Sequence, residues 1–236
     1  MYKHFFKRLF DILICLAALP FFCLIFIVVA PIIKFTDGGP VFYNAERLGR
    51  NGKMFKMYKF RSMKVNAPNL LNKDGSTYNG KNDPRVTKIG RILRKTSLDE
   101  TPQIFNVLFG HMSIIGPRAH ILTKFKSYDE LDEPRKKRLE VRPGITGYSQ
   151  AYFRNSATNE EKIQQDVYYV EHISMWFDIK IFFKTIFSVL KRDNVYVKDE
   201  APVKVVTVDE NGNKVETDIA SVSENNENKE TVGAAN

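Results

Sequence analysis

Cysteine is nearly absent. The 236 residues contain two, Cys15 and Cys23, both inside one apolar run, which excludes a disulfide scaffold and leaves no metal-binding spacing. Internal repeats are missing, and 13 glycines and 10 prolines are too few for a collagen-like chain. No helix-turn-helix, finger or ribonucleoprotein signature occurs, which removes the support for a nucleic-acid-binding module. Beyond Glu200 there is no aromatic residue, and residues 201–236 hold 7 acidic and 3 basic side chains, so a disordered acidic tail is expected there. What remains is cationic: the chain carries a net +9, and residues 1–200 alone hold 33 basic against 20 acidic residues. Such an excess suits an anionic partner, whether membrane headgroups, phosphorylated ligands or nucleic acid. With 43% hydrophobic and 27% charged residues, the chain is one domain with a core plus appendages.

From Ile12 to Ile33 no residue is charged. These 22 positions are about enough to cross a hydrocarbon core as a helix. The run continues without a small-residue cleavage site, unlike a signal peptide. Pro20 sits inside it, removes a backbone donor and predicts a break. Lys3, Lys7 and Arg8 precede the run, and Lys34, Arg47, Arg50, Lys53 and Lys56 follow it. Basic flanks favour the cytoplasmic side, so a helix that enters, breaks at Pro20 and returns satisfies both ends, whereas a spanning helix satisfies one.

Val41, Phe42 and Tyr43 read as strand, and Asn51-Gly52 separates two segments suited to a hairpin whose second arm is Met54 to Phe60. In that arm Lys56, Lys59 and Arg61 alternate with aromatics; a solvated face, headgroup contact and base stacking all fit. A helix over residues 87–95 places Lys88, Arg91, Arg94 and Lys95 on one broad face, with Ile89, Ile92 and Leu93 opposite. Thr101 is expected to cap a further helix that has Pro102 in its first position and Gly110 as its stop. Asp99 and Glu100 then lie just before a helix N-terminus, which stabilises carboxylates or a metal-bound phosphate; dipole partnership is the plainer reading. Arg118 follows Gly116-Pro117 and Arg142 precedes Pro143-Gly144, so rigid turns present both arginines, and Arg154 falls in another loop. From Glu160 to Asp193 the pattern is helical, with a wide apolar face edged by Lys180, Lys184 and Lys191 that suits a membrane interface or the core.

Together, Lys7-Arg8-Leu9-Phe10-Asp11, Gly39-Pro40-Val41-Phe42, Tyr58-Lys59-Phe60-Arg61-Ser62-Met63, Asp83-Pro84-Arg85, residues 97–103 from Ser97 through Asp99-Glu100 to Gln103, Gly116-Pro117-Arg118, Arg142-Pro143-Gly144 to Gly147, and Asp166-Val167-Tyr168-Tyr169 resemble the bacterial sugar transferases, the monotopic phosphoglycosyl transferases. The resemblance covers the chain to about residue 195. It implies a helix-dominated α+β fold: a re-entrant membrane helix over 1–36 broken at Pro20 and a catalytic domain over 37–200 with a small β-hairpin and interfacial amphipathic helices, ahead of the tail over 201–236 that composition predicts. It further implies transfer of a phosphosugar from a UDP-sugar to polyprenyl (undecaprenyl) phosphate at the bacterial inner membrane, facing the cytoplasm, to start surface polysaccharide or glycoconjugate assembly. Asp99 would be the nucleophile forming a covalent aspartyl-phosphosugar. Asp99 and Glu100 would sit at Mg²⁺, with Glu100 positioning the metal or deprotonating the acceptor, and Lys59, Arg94, Arg118, Arg142 and Arg154 would hold phosphate. The short stretch ahead of Lys7 matches a minimal catalytic form. Three positions depart from the family pattern: Ala119 replaces a proline, His111 an acid, and Leu24 a second membrane proline, so the break rests on Pro20. A membrane-anchored scaffold binding anionic lipid without catalysis is the rival reading.

Overall fold

The computed structural model describes residues 2–72, 78, 80, 82–119, 127–153, 157–191, 204–208 and 214–218. Helices dominate, as expected for the fold class. The chain divides into two packing units, residues 1–62 with 87–195 and residues 63–86 with 196–236. The apolar N-terminal segment falls in the same packing unit as residues 87–195.

In the first unit, α1 runs unbroken from Lys7 to Asp37 through Pro20 and Pro31, about 46 Å of helix. The expected break at Pro20 is not an interruption of the helix. One stripe is buried along the whole length: Asp11, Cys15, Phe22, Val29 and Ile33, at spacings of three to four residues or their multiples. Its two halves hold the same body. Before Pro20, Arg8 donates to the carbonyls of Val107 (2.6 Å) and Leu108 (3.0 Å), and Asp11 accepts from the Ile114 amide. After Pro20, Phe22 and Phe26 enter an aromatic cluster with Phe42, Phe60 and Phe105, with neighbouring centroids 5.1 to 6.3 Å apart. At the far end Asp37 takes both terminal nitrogens of Arg61. A straight bilayer span with its body on one side would leave the middle and far end of the helix without these contacts. The opposite face stays apolar and exposed, from Phe10 and Leu13 through Phe21, Leu24 and Ile27 to Phe35. Only lipid or another apolar surface satisfies it.

Strands β1 (Phe42–Leu48) and β2 (Met54–Phe60) form the expected antiparallel hairpin, Phe42 opposite Phe60 and Leu48 opposite Met54. Its turn uses the left-handed region at Asn51 (φ 55°) and Gly52 (φ 75°). Helix α2 (Lys88–Thr96) follows an N-cap in which Thr87 accepts from the Gly90 amide. Leu93 is buried, but Ile92, expected on the packed face, is 57% exposed. Helix α3 (Gln103–Leu108) leads to β4 (Ser113–Ile115), and α4 (Glu133–Arg138) precedes β5 (Gly144–Thr146), which pairs in parallel with β4. The short α5 (Tyr148–Tyr152) is followed by α6 (Asn159–Glu171) and α7 (Met175–Lys191). The helical pattern read as continuous from Glu160 is thus interrupted at residues 172–174. On α7, Ile181 and Asp178 face inward while Trp176, Phe183, Phe187 and Leu190 are exposed.

The second unit contains a three-stranded antiparallel sheet ordered β3 (Asn69–Leu71), β6 (Lys204–Val208), β7 (Lys214–Asp218). Two strands thus lie in the segment expected to be a disordered tail. Composition concealed a local signal, Asn211-Gly212 between two Val/Thr-containing segments. In the same unit Arg85 is clamped by Asp83 (2.7 Å) and the carbonyls of Pro68 and Tyr78, so Asp83-Pro84-Arg85 is a structural staple.

Candidate active site

Asp99 and Glu100 lie within a single 3-10 turn, Leu98–Glu100, instead of in the coil expected ahead of α3. Thr101 does not cap α3 by accepting a bond; its hydroxyl donates to the Leu98 carbonyl at 2.8 Å, closing the turn from the other side. Ser97 ends α2 in the left-handed region (φ 58°), where its amide returns to Arg94. A non-glycine residue there costs on the order of 1 kcal/mol, held by the packing on both sides. That reversal aims the two carboxylates back toward the hairpin.

Three cations meet the pair. Lys59, near the end of β2, reaches Oε1 of Glu100 at 2.6 Å, and Arg118 approaches the same oxygen at 3.7 Å. Arg94, on the last turn of α2, donates from Nε to the Ser62 hydroxyl at 2.9 Å, and its charge acts on Asp99. The backbone around them is fixed by residues that the sequence does not flag. Asn106 donates to the Lys56 carbonyl and accepts from the Tyr58 amide, stapling α3 to β2. Arg138, paired with buried Asp166, donates to the Arg118 carbonyl at 2.8 Å. The turns at 116–118 and 142–144 are pressed together: a Cβ on Gly144 would lie 2.1 Å from the Gly116 amide nitrogen, so both glycines are sterically required. Arg118 projects from this double turn with its side chain 56% exposed.

The two carboxyls are displaced in opposite directions. Burial first, with the adjacent Glu100 charge adding, pushes Asp99 up to about 6 against the pull of Lys59 and Arg94. Burial also works on Glu100, but Lys59 and Arg118 outweigh it and hold that carboxyl at about 2. Such splitting assigns separate roles to neighbouring acids. Asp99 is thereby more basic, and so more nucleophilic, than an ordinary carboxylate. Glu100 is a fixed anion that orients Lys59 and Arg118.

Magnesium asks for little from a protein: one or two carboxylates, with water and phosphate oxygens completing its shell. Among the described residues no cluster of three or more His, Cys, Asp and Glu side chains forms. The adjacent carboxylates, one with an oxygen already bound by Lys59, match that small requirement when phosphate supplies the rest.

Of the phosphate-holding residues expected from the sequence, Lys59, Arg94 and Arg118 come together around the pair. Arg142 does not join them. Its Nε donates to the Gly110 carbonyl, and its charged neighbours are Arg8, Arg50 and Asp11. The turn presented it as expected, but toward the root of α1. Arg154 lies outside the described residues. Arg47, read from the sequence only as a basic flank of the apolar run, is placed by alternation along β1 on the Lys59 face of the hairpin. Burial, with Arg118 adding, lowers its pKa against the opposing pull of Tyr43. His111 is exposed and packs against Phe55 and Phe109, while Ala119 packs on the core.

A family model described as bacterial sugar transferase matches residues 2–192. The chain is 43% identical over 188 residues to the UDP-glucose:undecaprenyl-phosphate glucose-1-phosphate transferase of Klebsiella pneumoniae, covering 78% of this chain and 40% of that protein. It is 39% identical over 215 residues to the undecaprenyl-phosphate galactose phosphotransferase of Salmonella typhimurium, covering 82% and 42%. The chain thus spans about two fifths of the length of these relatives. Against the exopolysaccharide production protein PSS of Rhizobium leguminosarum bv. phaseoli it is 41% identical over 194 residues, covering 79% of this chain and 96% of the relative. With the carboxylate pair, its cations and the apolar N-terminal helix in place, the chain belongs to the bacterial sugar transferase family.

Proposed function

We propose that the protein transfers a phosphosugar from a UDP-sugar to a polyprenyl phosphate such as undecaprenyl phosphate, at a bacterial cytoplasmic membrane with the site facing the cytoplasm, as a first step of surface polysaccharide or glycoconjugate assembly. The substrates are those that the names of two relatives carry. The observation that carries the reading is the pair of adjacent carboxyls gathered with Lys59, Arg94 and Arg118.

In the first step a carboxylate oxygen of Asp99 attacks the phosphorus that bears the sugar. The bond from that phosphorus to the oxygen bridging the two phosphates breaks, and UMP leaves with the electron pair. Arg94 and Arg118 hold the diphosphate and balance the charge that builds on the leaving group. Lys59, locked to Glu100, keeps the second carboxylate from repelling the incoming phosphate. In the second step a phosphate oxygen of the polyprenyl acceptor attacks the same phosphorus, the bond to Asp99 breaks, and the carboxylate is regenerated. Glu100, bound by Lys59 and approached by Arg118, is assigned to positioning these cations and to metal holding. Magnesium bound by Asp99 and Glu100 would supply further neutralisation of the diphosphate.

The test is UMP release across a set of UDP-sugars with polyprenyl phosphate present. At least one sugar should support turnover that Asp99→Asn abolishes. No UMP from any sugar in correctly inserted wild type, or full turnover in Asp99→Asn, would refute the assignment.

A further inference from the structure

A second cationic site lies at the root of α1, built from residues the carboxylate pair does not use. Lys3 and Arg8 from the N-terminal end, Arg50 from the hairpin turn and Arg142 from the double turn line one cleft, together with Asp11 and Glu140. The carboxylates there are engaged elsewhere: Asp11 accepts from the Ile114 amide at 3.0 Å, and Glu140 reaches Lys137 at 3.4 Å. Lys7, also on the wall, is paired with Asp178 at 2.6 Å. The four remaining cations make no ion pair among the described residues. Among the described residues the hydrogen bonds of Arg8 and Arg142 go to neutral acceptors, the carbonyls of Val107, Leu108 and Gly110. Burial, then the charges of Arg8 and Arg50, push the Arg142 guanidinium down, and the opposing charge of Asp11 only partly offsets them. Three of the four are arginines, whose planar forks match phosphate oxygens.

The position of the cleft identifies the carrier. Lys3 and Arg8 stand directly before exposed Leu9, Phe10 and Leu13, so the cations sit where an apolar helix surface begins. Ile173 on the cleft wall leads within a few residues to exposed Met175 and Trp176 of α7. Charges at such a boundary lie at headgroup depth. We propose that this cleft binds a phosphate group carried by a membrane lipid, separate from the site around Asp99.

The full chain in neutral detergent, titrated with phosphatidylglycerol, with phosphatidylcholine or with inorganic phosphate, provides the test. Retained lipid is read by native mass spectrometry and stabilisation by melting temperature. The variants are Arg50→Gln and Lys3→Gln, whose exposed side chains make no hydrogen bond among the described residues; unchanged melting without ligand verifies their fold. Wild type should retain one phosphatidylglycerol, and each variant should lower retention about three- to tenfold, with Lys136→Gln on α4 as the unaffected control. Stabilisation by inorganic phosphate that needs Arg50, without any Arg50-dependent lipid retention, would keep an oxyanion site but overturn its lipid source. Equal lipid and phosphate responses in wild type and both variants would overturn the site itself. Because no sugar donor enters the assay, either failure leaves the chemistry assigned to Asp99 standing.

Discussion

Asp99 and Glu100 are adjacent in sequence and opposite in behaviour, and the difference comes from which cation reaches which oxygen. Lys59 and Arg118 both converge on Oε1 of Glu100. Asp99 receives burial and the Glu100 charge, so its folded pKa of about 6 exceeds the ordinary 3.8. Stability from this group is therefore fully present below its unfolded value and is lost as pH rises through about 6. Asp99→Asn should accordingly raise thermal stability above pH 6, by on the order of 1–2 kcal/mol, while removing activity; a lower melting temperature at pH 7.5 would contradict the buried-charge assignment. The rate of the first step should fall as pH drops through about 6. Lys59→Gln should move that limb to higher pH by removing the strongest pull on Asp99; an unmoved limb would mean that another group sets it. The sequence made the carboxylates, Lys59, Arg94 and Arg118 legible because they stand in short motifs. Arg142 stands in a motif too, yet a turn specifies rigidity and not direction. Asn106 and Arg138 act through partners 20 to 50 residues away, and one chain carries no signal for such contacts.

At the scale of elements, the apolar helix and the hairpin were legible from uncharged length and from Asn51-Gly52. The continuity of α1 through Pro20 was not, because it depends on tertiary contacts that hold both halves. Phe22, Phe60 and Phe105 carry much of that hold, and Phe60→Ala should cost roughly 3–5 kcal/mol, read as a fall in melting temperature in detergent. A drop within about 0.5 kcal/mol, the range of an ordinary surface change, would refute the cluster's role. Both ends of α1 are tied to one body, by Arg8 and Asp11 at the start and Asp37 at the end, so same-side placement should not need the proline. With Cys15 and Cys23 changed to Ser, cysteine labels at positions 3 and 64 should react from the cytoplasmic side in wild type and in Pro20→Ala alike. Periplasmic labelling at position 3 in Pro20→Ala would mean that the proline, not the packing, sets the topology.

The whole molecule concentrates its positive charge in residues 1–200, and the structure gathers part of it at two places, around the carboxylate pair and at the root of α1. Composition revealed the excess but not this division, which needs the fold. Within the acidic segment, β6 and β7 complete a sheet on β3. Removal of residues 201–236 should therefore speed amide exchange at residues 69–71, and unchanged exchange there would refute that pairing. The central claim is that Asp99 forms a bond to the phosphosugar, and a single-turnover experiment with UDP-sugar and Mg²⁺ but no polyprenyl phosphate addresses it directly. Intact-protein mass spectrometry should show a burst of UMP matched by gain of one phosphosugar, mapped to Asp99, discharged on adding acceptor and absent in Asp99→Asn. No burst and no adduct in wild type that turns over normally once acceptor is added would contradict the account and leave the carboxylates as metal ligands alone.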